Sequence, residues 1–124
     1  MFIFAEKKFM LTVYGIPNCD VTAKTLQWLD KNKMAYQFHN YKTEGISKTI
    51  LEDWCQQKDW TLLFNKRSTT WKTLDTATQA QITNAAAAIK IMLEHNSIIK
   101  RPVITDNKII VAVGFDEQVL SGLK

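Results

Sequence analysis

The sequence predicts an α/β domain built on a mixed four-stranded sheet. Residues 10–14 form a short apolar run, followed by a turn, a helical pattern and a β-rich run at 35–41. Strand, helix and strand with such short links make a βαβ unit, whose strands are parallel. Two further β-rich runs, 103–105 and 108–113, flank Asp106-Asn107, a pair suited to a hairpin turn. The stretch between these two units reads as helix and loop.

The elements follow in order. Residues 10–14 are the first strand, and Gly15-Ile16-Pro17-Asn18 is a turn. From 20 to 32 the pattern is helical, with Val21, Thr25, Trp28 and Leu29 on one face. Residues 35–41 make the second strand, with Tyr36 and Phe38 on one side. Ser47 is an N-cap for a helix reaching residue 58, with Ile46 and Leu51 as a hydrophobic staple. Ile50, Leu51, Trp54 and Cys55 form its buried face. Residues 61–75 are mixed: Leu62-Leu63-Phe64 is apolar, and 65–71 reads as a loop. Asp75 caps a short helix reaching Gln81. Residues 83–95 are a helix, in which Ala85 to Ala88 allow close packing. His95 at its end suits the helix dipole when protonated. Gly114 breaks the last strand, and Asp116 caps a final helix with Phe115 and Leu120 as a second staple. The order is β-α-β, helical insert, β-β-α: a thioredoxin-like order with helices inserted in the middle.

The chain has 124 residues, 46% hydrophobic and 23% charged, which suits one compact soluble domain. That domain is expected over residues 10–124, with 1–9 as an N-terminal extension. The start has no basic region ahead of an apolar core, so no secretory signal is expected. No apolar run reaches bilayer length. Two cysteines without a signal imply free thiols in a reducing, cytoplasmic setting. The net charge of +4 is spread over scattered Lys and Arg residues, so neither nucleic acid nor a membrane is an expected partner. No Cys/His pair has zinc-ligand spacing, and no metal is expected. The chain is read as a monomer.

The chemistry points to Cys19. It follows the first strand and a turn, and it opens the first helix. A helix start offers unpaired N–H groups and partial positive charge, both of which favour a thiolate. Asn18 can help cap that start. Position 22, where a C-x-x-C motif would place a second cysteine, holds Thr22. A redox cycle on Cys19 then needs an outside thiol or a distant cysteine, and Thr22 can donate to the thiolate instead. Cys55, beside Trp54 on an apolar face, reads as a small buried hydrophobe rather than a resolving partner. Pro102 begins a strand, where no ladder N–H is lost. If the segment before it crosses Cys19, Arg101 sets a guanidinium by the thiol, able to hold an oxyanion or carboxylate. Arg67, in the polar loop, is a second candidate for that role.

Four segments carry a resemblance that runs from about Met10 to Leu123: residues 14–20 (YGIPNCD), 63–71 (LFNKRSTTW), 99–103 (IKRPV) and 113–115 (VGF). In this order they resemble the ArsC (arsenate reductase) family, and within it the YffB-like branch, also labelled Spx/MgsR-type. The resemblance implies a thioredoxin-like fold with a helical insertion, a catalytic Cys19, and a cis-proline at Pro102 with Arg101 facing the thiol. It also implies a glutathione-dependent thiol reductase with no bound cofactor and glutathione, or a similar small thiol, as co-substrate. Glutaredoxin and the RNA polymerase α subunit are the protein partners it brings into view. Three departures bear on function. Arsenate reductases hold the oxyanion with three arginines; Arg101 matches one, Arg67 matches a loop arginine of the YffB and Spx branches, and residues 106–113 contain none. Many relatives carry Arg or Lys where Ala23 stands, with Lys24 one position on. Spx regulators usually carry C-x-x-C, which Thr22 removes. Thiol reduction is therefore the expected activity, ahead of polymerase binding and of arsenate reduction.

Overall fold

The computed structural model describes residues 10–124; the N-terminal extension read over 1–9 lies outside the described residues. Strand β1 (Leu11–Gly15) leads into helix α1 (Asp20–Lys31) and strand β2 (Tyr36–Asn40). Helices α2 (Tyr41–Glu44), α3 (Lys48–Gln57), α4 (Trp60–Leu63), α5 (Thr69–Thr73), α6 (Thr76–Gln81) and α7 (Ala85–Glu94) follow. A 3₁₀ turn (Asn96–Ile98), strands β3 (Val103–Asp106) and β4 (Ile109–Val113), and helix α8 (Glu117–Ser121) complete the chain. The sheet order is β2-β1-β3-β4. β1 runs parallel to β2 and antiparallel to β3, which runs antiparallel to β4. This is a thioredoxin-like fold with a helical insertion.

Strand alternation splits the core into two layers. Leu11 and Val13 of β1, Ile104 and Ala112 pack with Leu29 of α1 and Leu120 of α8. On the other face Val103 and Ile110 meet the insert, through Leu51 and Trp54 of α3 and Met92 of α7. Tyr14 anchors the end of β1 to that second layer. Its ring lies 4.8 Å from Trp54, edge to face, and 4.7 Å from His39 on the neighbouring strand. Such aromatic pairs add about 0.5–1.5 kcal/mol beyond burial. They hold the strand end from which the Cys19 turn departs.

Caps fix the helix starts. The N–H groups of Ile50, Thr78 and Val119 donate to Ser47, Asp75 and Asp116, as the sequence predicts for α3, α6 and α8. Several local expectations differ. The second strand stops at Asn40, because Lys42 N–H donates to Asn40 Oδ1 while Asn40 N–H donates to Glu44 Oε2; Tyr41 therefore opens α2. Trp60–Leu63 and Thr69–Thr73 are helical turns rather than an apolar run and loop. Asp59 accepts from Thr61 N–H and Ser68 from Trp71 N–H, and segments this short show no periodicity to read. The hairpin turn lies one residue later than expected, at Asn107 (φ 48°) and Lys108 (φ 73°); two positive φ values are the mark of a type I′ turn. Val21 is 42% exposed, since the buried stripe of α1 is Thr22, Thr25 and Leu29. Cys55 and Ile50 are half-buried and pack at the margin of the core; at Cys55, small Ala85 and Ala86 leave a surface hollow between α3 and α7.

Candidate active site

Cys19 is the N-cap residue of α1, in extended backbone (φ −112°, ψ 122°). Its carbonyl accepts the first helical hydrogen bond, from Ala23 N–H at 2.9 Å. An N-cap side chain faces the free N–H groups two and three residues on. At Cys19 those belong to Val21 and Thr22, and the atom facing them is sulfur.

Thr22 supplies a third donor. Its side chain is fully buried, and Oγ1 has no hydrogen-bond partner at ordinary geometry. A buried hydroxyl without a partner is costly; here its neighbour is the thiol, which becomes a strong acceptor on ionising. Room for this hydroxyl comes from Gly15, where any Cβ would fall 2.6 Å from Thr22 Oγ1.

Partial burial pushes the Cys19 pKa up. The nearby donors, the Thr22 hydroxyl, the N–H groups of Thr22 and Val21 and the Arg101 side chain, favour the thiolate and outweigh burial, so the thiol ends below its ordinary value. The balance favours the nucleophilic thiolate. Cys55 goes the other way: burial, then the charge of Asp59, pushes its thiol up. Both cysteines are free.

The sheet brings Arg101 into the neighbourhood of the sulfur. Val103 pairs with Tyr14 at the end of β1, so the residues ahead of β3 pass over the β1–α1 turn. The Arg101–Pro102 peptide is cis, and Pro102 is buried. Arg101 is half-buried, and its Nη1 donates to Ser97 O at 3.4 Å.

A basic hollow of about 630 Å³ opens from Arg101. Lys66, Arg67 and Lys100 line it with Arg101, against Trp60 and Phe64. A small ladder brings Arg67 there. Phe64 bridges Ile99 in antiparallel fashion, Asn65 N–H donates to Ile98 O, and Lys100 N–H donates to Leu63 O, both at 2.8 Å. Asn65 Oδ1 then accepts from Arg67 N–H at 3.0 Å and turns the chain. Lys66 lies over the rings of Trp60 and Trp71, 5.9 and 5.6 Å from their centroids.

Thr22 and Arg101 thus neighbour Cys19, Pro102 follows Arg101 through the cis peptide, and Arg67 shares the hollow with Arg101. Asn18 is exposed, and the cap position belongs to Cys19 rather than to it. Lys24 is also exposed, with its ammonium 4.9 Å from the centroid of the Phe115 ring. Lys66, Lys100 and the Trp60 wall were not singled out from sequence. A Lys directly before each of Arg67 and Arg101 was the available signal.

The ArsC family model matches residues 14–122. The solved structure of the YFFB (PA3664) protein superposes with a TM-score of 0.82 and 37% identity, covering 91% of this chain and 97% of that one. An uncharacterized protein of Haemophilus influenzae is 37% identical over 110 residues, 88% of this chain and 94% of its own length. The global transcriptional regulator Spx of Lactococcus lactis is 29% identical over 111 residues, 88% of this chain and 82% of its own length.

Proposed function

The chain belongs to the ArsC family, and on that premise we propose that it is a glutathione-dependent thiol oxidoreductase working through Cys19 alone. One observation carries this reading: a thiol of lowered pKa at a helix start has Arg101 as a neighbour, and Arg101 lines a hollow with three further cations. Glutathione bears two carboxylates, and arginine holds a carboxylate through two parallel hydrogen bonds. The hollow's volume falls within the usual range for small-molecule sites. Free cysteines suit a reducing compartment such as the cytoplasm.

The cycle has two exchanges. The Cys19 thiolate attacks the glutathione sulfur of a mixed disulfide. The S–S bond breaks, and the substrate sulfur leaves with the bonding pair and takes a proton. Glutathione thiolate then attacks the Cys19 adduct at the glutathionyl sulfur. That step releases oxidised glutathione and restores the Cys19 thiolate. The net reaction turns the mixed disulfide and one glutathione thiol into the substrate thiol and oxidised glutathione. Arg101, with Arg67, Lys66 and Lys100, holds the carboxylates. Thr22 and the N–H groups of Val21 and Thr22 hold the thiolate when it attacks and when it leaves.

Intact-mass spectrometry after treatment with oxidised glutathione tests the reading. One glutathione adduct is expected, lost in Cys19→Ser and kept in Cys55→Ser. An internal Cys19–Cys55 disulfide, or full turnover by Cys19→Ser, sinks it.

The likeness to Spx supports a second reading, in which the chain docks on the α subunit of RNA polymerase. Pull-down with the C-terminal domain of that α subunit separates the two: no complex at micromolar concentration removes the regulator.

A further inference from the structure

One edge of the sheet is closed along half its length and open along the rest. β4 is an outermost strand, so one set of its backbone groups has no partner strand. Near the hairpin the Gln57 side chain fills that gap. Its Nε2 donates to Lys108 O at 2.9 Å, and its Oε1 accepts from Ile110 N–H at 2.7 Å. A side-chain amide thus stands where the next strand would be. The other end has no such cover. Gly114 N–H donates inward to Pro102 O, so Val113, opposite Val103, takes the alternate position. Its N–H and C=O point away from β3, and no described residue pairs with them.

This open stretch lies between two hollows. One is the basic hollow beside Arg101; the other, of about 320 Å³, lies towards α8 and includes Lys58, Leu62 and Val119. Lys100 and Val113 line both. Leu62 and Val119 form apolar banks, 50% and 38% exposed. Across both hollows Lys58, Lys66, Arg67, Lys100 and Arg101 face a single carboxylate, Asp116, which already accepts from Val119 N–H. Cys19 follows β1, two strands in from β4. A segment added outside β4 lies three strand spacings from β1, about 14 Å, a distance that about four extended residues span.

We propose that the open edge at Val113 docks an extended, acidic segment of a protein substrate, which adds to the sheet and brings its glutathionylated cysteine to Cys19. The inference rests on the thiol-transfer reading and names its substrate class: a polypeptide mixed disulfide, not a small one. Hydrogen bonds to Val113 hold any backbone, Leu62 and Val119 receive apolar side chains, and the cations select acidic sequence. Glutathione keeps to the basic hollow. Cys19 takes the glutathionyl sulfur, and the docked cysteine leaves as thiolate with the electrons of the broken bond and is protonated by water.

The test uses the whole chain and a ten-residue peptide with four Glu and one central cysteine. In its unreactive form, with Ser for Cys, the acidic peptide is expected to shift the Val113 amide resonance and slow its exchange. A peptide with Lys for Glu, or with N-methylated backbone, is not. Leu62→Asp combined with Lys58→Glu should weaken acidic-peptide binding at least tenfold. The same pair should slow reduction of the glutathionylated peptide, and leave the mixed disulfide of glutathione and 2-mercaptoethanol unaffected. An unmoved Val113 amide, or equal binding of the Lys peptide, overturns the docking site whatever the redox result. Docking without any transfer supports the edge site and overturns the thiol-transfer reading instead.

Discussion

Thr22 Oγ1 stands 2.6 Å from the point where a Cβ on Gly15 would be built, and Thr22 Cγ2 stands 2.8 Å from it. The last residue of β1 and the first turn of α1 therefore fit only with hydrogen at position 15. Backbone conformation is not the reason, since Gly15 is not among the residues with positive φ. The close approach puts a buried hydroxyl beside the Cys19 sulfur.

Gly15→Ala should cost about 1–3 kcal/mol, the usual range for overpacking a filled site. In a Thr22→Ala background only the Cβ contact at 3.3 Å survives, and the cost should fall by more than half. Urea denaturation of the four proteins in the cycle measures both. Equal costs in the two backgrounds would separate the glycine from the threonine.

The lowered pKa of Cys19 has a definite sign in stability. Burial opposes ionisation, but the nearby donors of Thr22, Val21 and Arg101 outweigh it. The folded state therefore gains from the thiolate above the unfolded thiol pKa, about 8.5, and loses that gain as pH falls through the folded value. The stability of the wild type relative to Cys19→Ser should rise with pH across that window. Alkylation of the Cys55→Ser protein should show a midpoint below that of a free thiol, and Thr22→Val should move it upward.

Arg101→Gln should slow reduction of a glutathione mixed disulfide about tenfold or more, since a hydrogen bond to a charged group contributes about 1.5–3 kcal/mol. Arg101→Lys should recover little, because an ammonium lacks the planar fork. A steady-state assay at fixed pH decides it, and full activity in Arg101→Lys would reduce the guanidinium to a simple charge.

Gln57 closes part of the β4 edge through Lys108 O and Ile110 N–H. Gln57→Ala should destabilise the fold by about 1–2 kcal/mol for the lost pair of bonds, and the Ile110 amide should exchange faster. Unchanged exchange at Ile110 would show that water serves the edge as well as the side chain does.

The strands, the longer helices and the capping residues Ser47, Asp75 and Asp116 were legible in the sequence, because periodicity and caps are local signals. So was Cys19 as a helix-start thiol, read from a strand, a turn and a helix in succession. The one-turn helices α4 and α5 were not, since four or five residues carry too little pattern. The half-exposure of Cys55 was not either, because it depends on alanines some thirty positions away on α7.

What the sequence determined by itself was a βαβ unit, a hairpin, an insert between them and a lone thiol at the first helix start. Tertiary structure decided what that thiol faces. Pairing of β3 with β1 carries Arg101 across to Cys19, and the bridge between Phe64 and Ile99 carries Lys66 and Arg67 to the same hollow. Both are contacts between residues more than thirty positions apart, set by strand register and burial rather than by local preference. Cys19 owes its place and most of the donors around it to the local chain, and the guanidinium beside it to strand pairing that only folding supplies.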